Sequence, residues 1–318
     1  MLTYLIDNNK IVYAIGAAVT PFLCALFLKL FASKLPKDQG REFAVDGKKS
    51  AGKIRGAGIL FIISFIICAL LFVKVNIEYV INYALLFFGM LTGYLDDSSE
   101  KPWGEYKKAV FDFIISFGTA FTFVHFNKEL LGIGLFGLHL NIHPIIYIIL
   151  GTALVWLLIN AVNCSDGIDG FSSVLTGISY ISAAAAIIIR KGDFDQVLLV
   201  AVMILTLLPY LWKNSEPSTM MMGDAGSRAL GLFLAILMMK TGNALLTIPL
   251  CFMVCVDGLL GILKVSLIRF LKLNVMKKIR TPLHDHCRKN LGWSNSQVRY
   301  RFSIIQIIIS IITLILIK

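Results

Sequence analysis

The sequence predicts an all-α polytopic membrane protein, one integral membrane domain over residues 1–318 with ten membrane-spanning helices. Three observations predict it. Apolar residues make up 57% of the chain and charged residues only 15%, whereas a soluble domain is nearer half apolar and a quarter charged. Apolar runs of about the 20 residues needed to cross a bilayer recur from end to end. The 30 Lys and Arg residues are also shared unevenly among the loops that join those runs.

The spans fall near 11–31, 56–74, 79–95, 109–126, 144–162, 173–189, 196–212, 229–240, 244–268 and 302–317. The first follows "MLTYLIDNNK", which lacks the basic n-region of a signal peptide, so it reads as a permanent span. The eighth is short and can extend back through "GSRA". No stretch reads as an interdomain linker, and no internal repeat is evident. The six cysteines form no CxxC pair, and those inside apolar runs read as small buried hydrophobes.

Ten spans put both termini on one side. The loops 32–55, 96–108, 163–172, 213–228 and 269–301 then share one face and carry 21 of the Lys and Arg residues. The opposite face holds seven: Lys10, Lys74, Lys128, Arg190, Lys191, Lys240 and Lys318. This three-to-one bias makes the basic face cytoplasmic and both termini external. The net charge of +11 is explained by topology and needs no nucleic acid. Asp96, Asp97, Asp166, Asp169, Asp224 and Asp285 gather on that same basic face. Topology does not explain acids collected among an excess of cations, and a site does.

Four stretches carry the chemistry. In "GYLDDSSEKPWGEYKK", Asp96 and Asp97 repel each other unless a cation or a shared proton relieves them. They are oxygen ligands of the kind Mg²⁺ favours, and one can serve as a general base. In "NAVNCSDGIDG", Asn163, Asp166 and Asp169 are spaced three apart, so a helical turn brings them to one face. In "MMMGDAGSRALG", Gly223, Asp224 and Ser227 open a helix whose free N–H groups suit phosphate oxygens, and Met221 can touch a flat base. In "IRTPLHDHCRKNLGW", Arg280, His284 and His286 sit in the most basic loop and favour an anion. Each stretch alone also has a plainer reading. These are a solvated helix end, a capped helix, a Gly-flanked turn and a basic loop facing anionic lipid. Asp257, well inside the ninth span, is a functional candidate by depth, with Lys264 seven residues on as the expected partner.

Together "GYLDD", "NAVNCSDGIDG", "MGDAGS" and "PLHDHCRKNLGWSNSQVRYRF" resemble the polyprenyl-phosphate N-acetylhexosamine-1-phosphate transferase superfamily, in its order and over most of the chain. The last of them is nearest the muramoyl-pentapeptide branch. The resemblance implies ten transmembrane helices, external termini and a cytoplasmic site in the bacterial inner membrane. It also implies Mg²⁺-dependent transfer from UDP-MurNAc-pentapeptide to undecaprenyl phosphate, giving lipid I and UMP. Its implied partners are these two substrates, membrane lipid and a second copy in a homodimer, with no nucleic acid. By the same resemblance Asp224 binds Mg²⁺, Asp96 is the base or the nucleophile, and Asp97 supports the metal and phosphates. Lys108 neutralises phosphate charge. Asn163 and Asp166 contact uridine or its phosphates, Asp169 stabilises that wall, and His284 and His286 contact the diphosphate or sugar.

Departures keep a second donor open. "GKIRGAGIL" stands where the branch carries Thr-Pro-Thr-Met-Gly-Gly, Asp285 interrupts three histidines, Met221 replaces an aromatic residue, and the loop after Asp97 is atypical. UDP-GlcNAc or another UDP-N-acetylhexosamine is the alternative. An ion-coupled secondary transporter is a more remote one, which predicts facing acids at mid-membrane and an inverted repeat.

Overall fold

The computed structural model describes residues 1–4, 6, 8–38, 40, 50–99, 101, 103–135, 138–273 and 276–317. Arg41, Lys48, Lys49 and Lys318, counted above among the loop cations, lie outside the described residues, as do Glu100 and Pro102 of the Asp-Asp loop.

Nine of the ten apolar segments each correspond to one helix, and the expected single span 244–268 is instead broken by a sharp bend. The helices begin with α1 (Asn9–Phe31), α2 (Gly58–Phe72), α3 (Ile77–Asp97), α4 (Glu105–Phe126), α5 (Pro144–Ser165), α6 (Phe171–Ile189), α7 (Phe194–Asn214) and α8 (Gly223–Lys240). A short α9 (Thr247–Leu250) leads into α10 (Phe252–Leu271), with a bend of 94° between the segment ending at Leu250 and α10. The amphipathic α11 (Leu283–Leu291) and then α12 (Asn295–Leu316) complete the chain. Local signals set the ends. Asn76 and Asp193 cap α3 and α7 by accepting from the N–H groups of Tyr79 and Asp195. Ser294 and Gln297 form a capping box on α12.

Among the described residues, six helices are long and apolar enough to cross a membrane, and the bent α9–α10 unit makes a seventh. α2 is a shorter apolar helix. The all-α expectation needs one correction. Strands β1 (Gly132–Leu135) and β2 (Leu138–Asn141) pair antiparallel, Gly132 opposite Asn141, in the loop between α4 and α5. Backbone pairing satisfies the polar groups of a loop that the apolar scan passes over.

α8 is the centre of the bundle. It packs most extensively on α5 and α3, and every residue from Ala225 to Lys240 is buried. Small residues permit the approach: a Cβ on Gly93 of α3 would lie 2.4 Å from the Asp224 carbonyl oxygen. The helix begins at Gly223, so Arg228 is not the loop cation that the sequence reading counts. It is buried and ion-paired with Asp112 of α4. Lys240 is likewise buried rather than exposed in a loop. Its Nζ lies 2.7 Å from Glu78 Oε2 and donates to Asn127 Oδ1 at 2.8 Å. Both cations have carboxylate partners because an unpaired charge at that depth is strongly unfavourable.

Candidate active site

The end of α3 projects Asp96 and Asp97 beyond the apolar run, and the start of α8 comes to meet them. Gly223 has φ +66°, a conformation that favours glycine, and a Cβ there would lie 2.1 Å from Asp97 Oδ2. Asp97 Oδ2 accepts the Asp224 N–H at 2.7 Å. The carboxylate therefore occupies the position at the α8 N-terminus that the sequence reading offers to a phosphate. Its Oδ1 lies 2.6 Å from Nη2 of Arg55. Burial and the nearby Asp224 push the Asp97 carboxyl up to about 6, against the pull of Arg55 and the α8 N–H groups.

Asp96 lies beside the Asp224 side chain. It is ion-paired with Lys108 and accepts the Trp103 N–H at 2.8 Å. Burial opposes its ionisation, but Lys108 and that N–H outweigh burial and hold the carboxyl below its usual value. Lys108 Nζ also lies 3.8 Å from Asp224 Oδ2, so one ammonium bridges α3 and α8.

The third stretch arrives from α5. Asn163 Nδ2 donates to Ser227 Oγ at 2.9 Å, and Ser227, fully buried, donates to the Gly223 carbonyl at 3.0 Å. Asp166 ends α5, half-buried and facing the cluster. Burial and the charges of Asp224, Asp97 and Asp169 push its carboxyl up to about 7. Asp169 turns away from the cluster to Lys53 Nζ at 3.1 Å and the Ser218 N–H at 3.1 Å, while Arg299 Nη1 holds its carbonyl oxygen at 2.8 Å. Met221 is half-buried, whereas its neighbours Met220 and Met222 are buried in the core.

From the fourth stretch, His284 is buried. Its Nδ1 lies 2.8 Å from Asp257 Oδ2, and its N–H donates to Asp257 Oδ1 at 2.7 Å. This corrects the expected partner of Asp257, since Lys264 donates to the Ile279 carbonyl at 2.6 Å instead. Burial lowers the proton affinity of His284, but the Asp257 charge and hydrogen bond exceed that effect and raise it. His286 is half-buried, accepting the Arg280 N–H at 3.3 Å, and the Arg280 side chain is exposed.

Asp96, Asp97, Asp166 and Asp224 thus share one charged environment with Lys108 and Arg55, and the carboxylates outnumber the cations by two. Among the described residues, no three His, Cys, Asp or Glu side chains stand close enough to hold a metal ion by themselves. Arg55 and Lys53 escape the sequence reading because they sit in a loop already rich in cations, where topology accounts for any one of them. Their segment runs beside residues 219–222. The Met221 N–H donates to the Ile54 carbonyl at 2.7 Å, and the Ala57 N–H to the Met221 carbonyl at 3.0 Å.

Residues 79–242, about half of the chain, match the model of glycosyl transferase family 4. The chain belongs to glycosyl transferase family 4. Asp96, Asp97, Lys108, Asn163, Asp166, Asp169 and Asp224 all lie in the part that matches. A phospho-N-acetylmuramoyl-pentapeptide-transferase of Treponema pallidum (strain Nichols) is 35% identical over 87% of this chain and 81% of its own length. One of Kosmotoga olearia is 28% identical over 97% of this chain and 98% of its own. One of a Nitratiruptor species is 28% identical over 85% and 82%. This family 4 chain is therefore a transferase with multi-pass membrane character.

Proposed function

We propose that the chain transfers phospho-MurNAc-pentapeptide from UDP-MurNAc-pentapeptide to undecaprenyl phosphate, with Mg²⁺ bound, giving lipid I and UMP. One observation carries the reading: Asp96, Asp97, Asp166, Asp224, Lys108 and Arg55 from distant parts of the chain converge where α3 meets α8. Relatives named for this transfer, similar over most of their length, support the donor.

An oxygen of the lipid phosphate attacks the phosphorus that carries the sugar. The bond from that phosphorus to the oxygen shared with the uridine phosphate breaks, and UMP leaves with the electron pair. The oxygen-rich donor set fits Mg²⁺, which commonly binds through one or two carboxylates and completes its shell with substrate phosphates and water. Asp224 would hold the cation, with Asp97 beside it through the Asp224 N–H, and a cation held there would supply charge withdrawal from the diphosphate. Lys108 neutralises the charge that collects on the phosphates as the bond breaks. Asp96, held ionised, is a weak base. That suffices, because a phosphate monoester has lost most of its second proton at neutral pH, with a pKa of about 6. Asn163, Ser227, Gly223 and Asp166 form the polar edge for the nucleotide, with Asp169 bracing that wall, and the accessible side of Met221 meets the base. His284, His286 and Arg280 line the sugar and diphosphate side.

In this reading ten helices span the bacterial cytoplasmic membrane, both termini are external, and the site faces the cytoplasm. The cation-rich loops at the site's end of the chain support that orientation. The resemblance supports a homodimer. The test is UMP release with undecaprenyl phosphate and Mg²⁺, comparing UDP-MurNAc-pentapeptide with UDP-GlcNAc. Release with the first is expected. Release with UDP-GlcNAc alone replaces the donor, and release with neither overturns the reading.

A further inference from the structure

Arg55 occupies a position that the four stretches do not include, yet among the described residues it and Lys108 are the cations that ion-pair with the carboxylates at the α3–α8 junction. Its Nη2 lies 2.6 Å from Asp97 Oδ1, and its Nη1 lies 3.6 Å from Oδ1 of the buried Asp38. Asp97 in turn accepts the Asp224 N–H through its other oxygen. The order of contacts is Asp38, Arg55, Asp97, then the first turn of α8.

The backbone around Arg55 reinforces the order. Its N–H donates to the Pro36 carbonyl at 2.8 Å, and the Ala57 and Gly58 N–H groups donate to the Met221 and Met222 carbonyls, each at 3.0 Å. Arg55 is thereby anchored on the strand-like segment that borders the approach to α8. A guanidinium is planar and can hold two carboxylates in fixed directions at once, which a single ammonium does less well.

We infer that Arg55 is a positioning residue for the transfer. Through Asp97 it fixes the first turn of α8 and so the direction in which Asp224 faces the donor. The inference rests on the transferase reading above. A role in ground-state donor binding alone would act on KM, whereas a role in aiming Asp224 acts on kcat.

The experiment compares Arg55→Gln, Arg55→Lys and Asp38→Asn in purified full-length protein, measuring UMP release against donor concentration alongside thermal midpoints. Arg55→Gln is expected to lower kcat about 10–100-fold, the usual loss when a supporting contact behind a metal ligand is removed. Its KM for UDP-MurNAc-pentapeptide is expected to stay within about threefold of wild type. Arg55→Lys, able to keep one carboxylate contact, is expected to recover the larger part of kcat. Unchanged kcat in Arg55→Gln overturns the inference, and so does a loss carried entirely by KM. If Arg55→Gln does not fold, Asp38→Asn decides. It removes only the rear charge, and a fall in kcat at constant KM supports positioning, whereas unchanged kcat overturns it. A wild type that releases no UMP from either donor instead sinks the transferase reading.

Discussion

Asp224 and Asp97 touch through a backbone N–H but carry different duties. Asp97 has one oxygen accepting from α8 and the other in an ion pair with Arg55, whereas Asp224 lies beside Asp96 and 3.8 Å from Lys108. Asp224→Asn should therefore abolish UMP release while the protein still purifies folded in detergent, and full activity in that variant would refute the assignment. His284 gives a pH prediction. Its folded proton affinity is raised above the ordinary value of 6.5 by Asp257. The stability it contributes is fully present below about pH 6.5 and is lost as pH rises through the raised folded value. The thermal midpoint in detergent should fall over that window, and His284→Gln should flatten the dependence. The site acids were legible because each is polar at the end of an apolar run. The pairing of Asp257 with His284 was not, since 27 positions separate them and the same-helix Lys264 was the nearer candidate.

At the scale of elements, the site is made by two helix ends that glycines allow to approach closely. A methyl on Gly93 would lie 2.4 Å from the Asp224 carbonyl, and that neighbour is backbone rather than a flexible side chain. Gly93→Ala should cost about 1–3 kcal/mol, as overpacking does, and should lower UMP release by moving Asp224. Thermal melts and turnover of the same preparation measure both effects. The ten apolar segments were readable from hydropathy to within a few residues. The starts of α8 and α12, at Gly223 and Asn295 rather than 229 and 302, were the least so, because polar and charged residues open both helices. The β1–β2 hairpin was missed because each strand has only four residues, too few for an alternating pattern to stand out.

For the whole molecule, the uneven share of cations assigns the inside and outside. Lys101 and Lys191 are both exposed and fall on opposite faces in the proposed topology. In intact cells, Lys191→Cys should react with a membrane-impermeant maleimide and Lys101→Cys should not. The opposite pattern would invert the topology. Four native cysteines, Cys24, Cys68, Cys251 and Cys287, are buried and should contribute little background. The charge bias was legible from sequence alone, although the burial of Arg228 and Lys240 removes one cation from each side of the count.

The enclosure of α8 explains how it can fail a hydropathy test that α5, its most extensive neighbour, passes. Asp224, Arg228, Lys240 and its glycines are tolerated because other helices, rather than acyl chains, surround it. The same enclosure sets how the bilayer acts on the site. A membrane that thickens, thins or stiffens acts on the outer helices such as α1 and α12, whose apolar side chains are largely exposed. That stress reaches α8 through α2 and α6, which pack on α1 and α12 and also on the central helix, and a close-packed interior transmits strain. The central helix thus meets the changing elasticity of the membrane through the helices packed around it.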